Sequence, residues 1–122
     1  MKQLLLVFLG GGAGSALRFL ISKSLNQATI LPLGTLLVNV GGSLLIGFIL
    51  GLGYRQQIMS TNTILLLATG FCGGFTTFSA FAYENQVFLK SGDFMSFGLY
   101  TVSSILLGLG AVFGGFYFSR LI

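Results

Sequence analysis

Residues 70–81 read Gly70-Phe71-Cys72-Gly73-Gly74-Phe75-Thr76-Thr77-Phe78-Ser79-Ala80-Phe81 and lie in the middle of a long apolar segment that we expect to cross a membrane. Three of the first five residues are glycine, and a pair of threonines follows. Glycine and clustered hydroxyl groups favour an interruption in a helix, which we place at Gly73-Gly74. Lipid cannot hydrogen-bond the backbone groups freed there, so the interruption must be buried in protein, line water or hold an ion. Where the helix resumes, the spacing predicts that Phe75, Phe78 and Phe81 share one face.

The composition is that of an integral membrane protein with one domain, residues 1–122. Hydrophobic residues make up 54% of the chain and charged residues 7%, with a mean hydropathy of +0.96, whereas a soluble domain carries roughly a quarter charged residues. The sequence has no histidine, one cysteine and two acidic residues, which argues against a zinc or haem site, a proton relay and hydrolytic catalysis. An enzyme is therefore the least expected class, and the small, scattered net charge of +4 argues against a nucleic-acid partner.

Four apolar segments, at about 4–24, 33–53, 62–88 and 95–118, each provide the ~20 residues needed to span a bilayer core. As an unbroken helix the third would measure ~40 Å, which exceeds the ~30 Å hydrocarbon core. The sequence thus predicts an all-α membrane protein with four transmembrane helices, the third broken in mid-membrane. Four glycine pairs at GxxxG spacing predict close helix packing: Gly10/Gly14, Gly47/Gly51, Gly70/Gly74 and Gly110/Gly114.

The basic residues divide evenly between the two sides of such a bundle. Lys2, Arg55 and Arg120 fall on the side of the termini, and Lys23, Lys90 and Arg18 fall opposite. The positive-inside rule therefore favours neither orientation. Two copies inserted in opposite directions would be able to pair about an axis in the membrane plane, so an antiparallel dual-topology dimer is our hypothesis.

Asn39 lies in the middle of the second segment. An amide at that depth is costly unless it has a partner, so we expect it to face the bundle interior. Together with Thr35, Gly42 and Ser43 it forms a polar stripe of small residues at helical spacing. The spacing alone leaves two roles open, an interhelical hydrogen bond and a donor that lines a pore.

Three other sets of polar residues also have two possible roles each. Arg18 is either an interfacial anchor or a vestibule charge that attracts anions. Glu84 either pairs with a basic group or borders a pathway. Tyr100 and Ser104 share a face of the fourth segment, where their hydroxyl groups would serve packing or form a polar track.

Phe78 and Phe81 suggest a more specific function. An aromatic ring is negative on its face and positive at its edge. Ring edges turned inward, with the amide N–H groups of Asn39, would attract a small anion and exclude cations.

Taken together, these residues resemble the CrcB/Fluc family of fluoride channels over nearly the whole chain. Three motifs carry the resemblance: residues 11–19, GGAGSALRF; residues 34–39, GTLLVN; and residues 70–81, GFCGGFTTFSAF. The last is the most specific of the three. Ser15, Phe19 and Ala80 depart from the residues usual in the family.

The resemblance implies a fluoride-selective channel in a bacterial plasma membrane, built as an antiparallel homodimer with two pores and a central structural sodium ion. If the functional residues of the family are assigned to the matching motif positions of this chain, Phe78 and Phe81 would be the aromatic pair along each pore. Asn39 would be the central polar ligand. Gly73 and Thr76 would offer backbone carbonyl groups to the sodium ion. The remaining candidates are Thr35, Thr77, Glu84, Tyr100 and Ser104 for the polar lining and Arg18 for the vestibule.

The main alternative is a small multidrug-type transporter, which shares this length, four crossings and dual topology. That class requires an acidic residue in the first helix, and segment 4–24 has no Asp or Glu. A non-transporting assembly subunit would account for the glycine-rich packing but not for Asn39 or the interrupted third segment.

Overall fold

The computed structural model describes residues 1–27, 29–56 and 58–122, with only the backbone of residues 55 and 56. The side chain of Arg55, which entered the charge count above, therefore lies outside the described residues. The elements in chain order are α1 (Lys2–Leu25), α2 (Leu33–Gln56), α3 (Thr61–Ile64), a π-helical segment (Leu65–Cys72), α4 (Gly73–Phe75), α5 (Phe78–Ser91) and α6 (Phe94–Ser119).

Within the described ranges, four stretches are long and apolar enough to cross a membrane, as predicted. They are Lys2–Leu25, Leu33–Tyr54, Thr61–Ser91 and Phe94–Ser119. Large apolar side chains point outward from them, for example Phe8 with 73% exposure and Leu106 with 65%. Helices that are apolar on all sides and bury few of their side chains suit a lipid environment. The antiparallel pairing of two copies stays a prediction.

The third crossing, Thr61–Ser91, has several parts. Its first half is mainly the π-helical segment, and α4 ends at Phe75. Thr76 (φ −81°, ψ 155°) and Thr77 (φ −149°, ψ 114°) are extended, and α5 begins at Phe78. The depth of these two extended residues in a bilayer stays a prediction.

The expected position of the interruption, Gly73-Gly74, is wrong. Gly73 is helical, with φ −62° and ψ −36°, and Gly74 lies within α4. A side chain at Gly74 would collide with the backbone of Gly11, so this glycine allows α1 to approach rather than letting the helix unwind. The two threonines are the residues that leave helical geometry.

Close approach through glycine organises the packing of two helix pairs. Side chains at Gly10 or Gly14 of α1 would collide with the backbone of the π-helical segment, and one at Gly47 of α2 would collide with the backbone of α6. Within the described part of the single chain, Gly110 and Gly114 allow no close backbone approach: an added Cβ meets no atom within 4 Å at Gly110 and only a side-chain carbon at 3.7 Å at Gly114. Gly115, one residue later, is the α6 glycine that contacts the backbone of α2.

Candidate functional site

Asn39 holds the extended pair through two hydrogen bonds with Thr77. The backbone N–H of Thr77 donates to Asn39 Oδ1 at 2.7 Å, and Asn39 Nδ2 donates to the carbonyl oxygen of Thr77 at 3.0 Å. The amide thus pairs with both backbone groups of one residue, as a neighbouring strand would. It replaces the helical partners that Thr77 lacks. The structure therefore places Asn39 in the interhelical role that the sequence left open, and one of its two amide N–H groups has no acceptor among the described residues.

The hydroxyl groups of the two threonines stabilise the ends of the interruption. Thr76 Oγ1 donates to the carbonyl oxygen of Cys72 at 3.0 Å, which ties it to the preceding turn. Thr77 Oγ1 accepts from the N–H of Ala80 at 3.2 Å and lies 3.2 Å from Ser79 Oγ. Thr77 is thus the N-cap of α5.

The aromatic side chains after the interruption form a short series. The ring centroids of Phe78 and Phe81 are 5.8 Å apart with a 44° interplanar angle, and those of Phe81 and Tyr100 are 5.2 Å apart. Phe78 is 78% exposed in the single chain. Phe75 does not join this face, because it precedes the interruption and stacks on Phe71 at 5.6 Å.

A cavity of about 340 Å³ lies beside this series, and we call it the aromatic cavity. The predicted site residues that line it are Asn39, Gly73, Thr76, Thr77, Phe78, Phe81 and Ser104. The hydroxyl oxygen of Ser104 is buried and has no hydrogen-bond partner among the described residues. A buried polar atom without a partner is rare and usually marks a place for water or a ligand.

Glu84 accepts hydrogen bonds from two other helices. Thr35 Oγ1 donates to Glu84 Oε1 at 2.6 Å, and the Tyr100 hydroxyl donates to Oε2 at 2.6 Å. Thr35 and Tyr100 are buried, with 1% and 2% exposure. The structure therefore brings together three of the predicted lining residues in one network that joins α2, α5 and α6.

Thr77 also lines a second cavity, of about 290 Å³, which we call the arginine cavity. Its charged residues are Arg18 and Glu84, and Asn26, Thr35 and Thr77 also line it. Arg18 therefore lines the same cavity as Thr35 and Glu84 of the polar network, and is not only an anchor at the membrane interface. Thr77 lines both cavities, whereas Thr76 lines the aromatic cavity.

The interruption also changes the environment of the Gly73 carbonyl group. In a continuous helix its partner would be the N–H of Thr77, four residues on. That N–H donates to Asn39 instead. Gly73 is exposed, and a Cβ added to it would meet no atom within 4 Å, so space is open beside it.

Two residues of this region were not predicted as part of the site. Ser15 Oγ donates to the carbonyl oxygen of Gly74 at 3.3 Å, a second backbone group beside the interruption. Asn26, in the α1–α2 connection, donates to Thr35 Oγ1 at 3.1 Å. Ser15 was visible in the sequence as a departure from the family pattern, whereas the role of Asn26 depends on how α1 meets α2.

The fold and these polar groups define a multi-pass membrane protein with polar cavities between apolar helices. Residues 5–116 match the family described as CrcB-like protein, Camphor Resistance (CrcB). The chain is 49% identical over 120 residues to the fluoride-specific ion channel FluC of Gloeothece citriformis, covering 96% of each chain. It is 46% identical over 122 residues to the protein of that name from Phocaeicola vulgatus, covering 98% of this chain and 100% of the relative. The chain belongs to the CrcB family, which confirms the resemblance drawn from its motifs.

Proposed function

We propose that this chain forms a fluoride-selective channel that lets fluoride leave the cytoplasm passively. The observation that supports it best is the aromatic cavity. Asn39 fixes the extended Thr76-Thr77 pair there, next to the rings of Phe78 and Phe81 and the partnerless hydroxyl of Ser104. Relatives that carry the name fluoride-specific ion channel match this chain over nearly its full length.

Hydrogen-bond donors that have no acceptor within the described part of the chain are suited to binding a small anion. Fluoride is strongly hydrated, so a selective pathway must replace its water with several donors at once. The protons of Thr35 and Tyr100 are directed to Glu84. Among the described donors beside the aromatic cavity, this leaves one N–H of Asn39 and the hydroxyls of Ser43 and Ser104. The positive edges of Phe78 and Phe81 would complete the set, and the described residues that line this cavity include no carboxylate that would repel an anion.

We assign the remaining polar residues to the approach to this cavity. Arg18 would raise the local concentration of anions by its positive charge. Thr35 and Glu84 would form the wall of the arginine cavity, the Tyr100 hydroxyl would hold the Glu84 carboxylate, and Thr77 would connect the two cavities. In this assignment the ion passes the extended pair on its way between the arginine cavity and the aromatic cavity.

The proposal includes a homodimer of two antiparallel copies. The 78% exposure of Phe78 and the open space beside Gly73 place a distinctive surface at the interruption. A two-fold axis in the membrane plane would bring this surface of one copy against that of the other. The even division of the basic residues is compatible with both orientations in one membrane.

The proposal also includes a structural sodium ion, held by backbone groups at the interruption. Carbonyl oxygens freed from helical hydrogen bonding are typical sodium ligands in broken transmembrane helices. The Gly73 carbonyl has lost its helical partner, and Gly73 and Thr76 both line the aromatic cavity. These two residues from each copy would hold the ion, and its positive charge would bind the two interruptions to each other.

Passive flow is sufficient for the proposed role. Fluoride enters cells as the neutral acid and dissociates at cytoplasmic pH, so the anion accumulates inside. A membrane potential that is negative inside then drives the anion outward, at about 2.3 kcal/mol per charge for each 100 mV.

The test is anion efflux from liposomes that contain the purified protein, with fluoride and chloride electrodes read in parallel. We expect fluoride to leave rapidly while chloride is retained. A dimeric protein that releases neither anion would overturn the proposed function. Equal release of both would overturn its selectivity.

A further inference from the structure

The N-terminus of α2 is capped from a distance by the connection that precedes it. The first N–H groups of a helix have no helical partner and must find one elsewhere. Leu33 and Leu36 donate to the carbonyl oxygens of Leu31 and Pro32, at 2.8 and 3.1 Å. The N–H groups of Gly34 and Thr35 both donate to Asn26 Oδ1, at 2.8 and 3.2 Å.

The cap requires α1 and α2 to be in close contact. A Cβ at Gly34 would lie 2.7 Å from Asn26 Oδ1 and 2.8 Å from the Cα of Ser22. Only glycine at position 34 therefore lets the amide of Asn26 reach the backbone of α2. Asn26 itself is fixed at the end of α1, because its N–H donates to the carbonyl oxygen of Ser22 at 3.0 Å.

The cap also determines the direction of two further hydrogen bonds, the one between Asn26 and Thr35 and the one between Thr35 and Glu84. Backbone N–H groups can only donate, so the amide oxygen of Asn26 must face them and Nδ2 must face Thr35. Nδ2 donates to Thr35 Oγ1 at 3.1 Å. The single proton of Thr35 is thus left for Glu84 Oε1, 2.6 Å away.

We propose that Asn26 is a positioning residue of the ion pathway: through the hydroxyl of Thr35 it holds the Glu84 carboxylate against the wall of the arginine cavity. The inference rests on the proposed function, because it names a residue that prepares the same pathway. Without the donor of Asn26, the Thr35 hydroxyl is free to rotate away from Glu84. The carboxylate is then held by Tyr100 alone and can swing toward Arg18, which lines the same cavity.

Two substitutions at position 26 separate this role from simple capping. Asn26→Ala removes both the cap and the donor, so thermal stability and fluoride efflux should both fall. Asn26→Asp keeps an acceptor for the N–H groups of Gly34 and Thr35 but has no donor for the Thr35 hydroxyl. It should restore the melting temperature of the dimer while efflux stays roughly fivefold below that of the wild type, as expected for the loss of one hydrogen bond between neutral groups.

A third substitution tests whether the effect passes through Thr35. Thr35→Val should lower efflux per folded dimer by a similar factor, and Asn26→Ala should then lower efflux per folded dimer no further, because the two residues act in series. Thr29→Val is the matched control, since the Thr29 hydroxyl lies in the same connection and donates only to the carbonyl oxygen of Leu31, at 2.6 Å. Its efflux should equal that of the wild type.

Fluoride efflux from the liposomes distinguishes failure of the proposed function from failure of the Asn26 inference. Wild-type liposomes that release no fluoride would overturn the proposed function. If the wild type conducts, Asn26→Asp with wild-type efflux would show that Asn26 is only a cap and would overturn the inference. Multiplied losses in the Asn26→Ala/Thr35→Val protein would overturn it as well. If Thr35→Val fails to fold, the two substitutions at position 26 still decide between the roles.

Discussion

The chain leaves helical geometry between α4 and α5 and again between α5 and α6, and the two places are stabilised in different ways. At the second, Gly92 adopts φ +76° and donates to the carbonyl oxygen of Leu89, while Asp93 N–H donates to that of Phe88. Every partner there lies within a few residues. At the first, the partner of Thr77 is Asn39, 38 residues away on another helix. A turn in water closes with local groups, whereas an interruption between apolar helices needs a partner from elsewhere in the fold.

The largest expected effect is at Asn39. Asn39→Leu leaves the N–H and carbonyl groups of Thr77 without partners, at about 1–3 kcal/mol for each. Asn39→Asp keeps the acceptor and loses the donor, so we expect an intermediate loss of stability and, from the added negative charge, loss of fluoride efflux. Thermal unfolding of the dimer and liposome efflux measure the two effects.

Asn85 provides a matched control for Asn39. It is also buried, but its amide bonds the Phe81 carbonyl of its own helix, at 3.1 Å, and the Thr101 hydroxyl, at 3.0 Å. Asn85→Leu should lower stability while efflux per folded dimer stays at the wild-type level. If Asn39→Leu behaves in the same way, Asn39 has no role in conduction.

The next largest effect is expected at the aromatic pair, Phe78 and Phe81. Phe78→Ile and Phe81→Ile should each lower fluoride efflux, because isoleucine has no positive ring edge to offer the ion. If a ring edge contributes about as much as one aromatic pair contact, about 0.5–1.5 kcal/mol, the loss is roughly two- to tenfold. Phe8→Ile is the control, because Phe8 has nearly the same exposure as Phe78 (73% against 78%) but lies on α1, away from the interruption. Equal efflux from the Phe78 and Phe8 variants would remove the ring edges from the proposal.

A smaller effect is expected at the local turn. Gly92→Ala forces a side chain into the left-handed region, which costs about 1–2 kcal/mol. The melting temperature should fall and efflux per folded dimer should not change. Gly98→Ala, at a helical position where an added Cβ meets no atom within 4 Å, should be neutral or stabilising. Loss of efflux in Gly92→Ala would mean that this turn is coupled to the pathway.

The smallest effect is the pH dependence of the same turn. Hydrogen bonds from the side chain and the backbone N–H of Ser96 lower the pKa of Asp93. A group whose pKa is lower in the folded state stabilises the fold above its unfolded pKa, and this stabilisation is lost as the pH falls through the folded pKa. The difference in melting temperature between wild type and Asp93→Ala should therefore be largest near neutral pH and shrink in acid. A difference that does not change with pH would show that the charge of Asp93 contributes nothing.

The sequence predicted much of the site because its chemistry is concentrated in few residues. Asn39 and Glu84 are costly to bury in apolar segments. Asn39 was therefore expected to face the bundle interior, and Glu84 was expected either to pair with a basic group or to border a pathway. The sequence did not show which residues would be their partners, because Thr77 comes close to Asn39, and Tyr100 to Glu84, only after α2, α5 and α6 pack. Asn26 was overlooked for the same reason: it caps a helix that begins seven residues later along the chain.

The sequence by itself determined four apolar helices, a CrcB family motif and an irregular third crossing, since these depend on residue type and spacing. Only the tertiary structure decided where that crossing becomes extended. Gly73 and Gly74 have the conformational freedom to unwind, yet packing against α1 keeps Gly74 helical. Thr77 unwinds because Asn39 supplies both of the hydrogen bonds that the helix would have made. The energy of a backbone group depends on its partner, and that partner is present only in the folded chain.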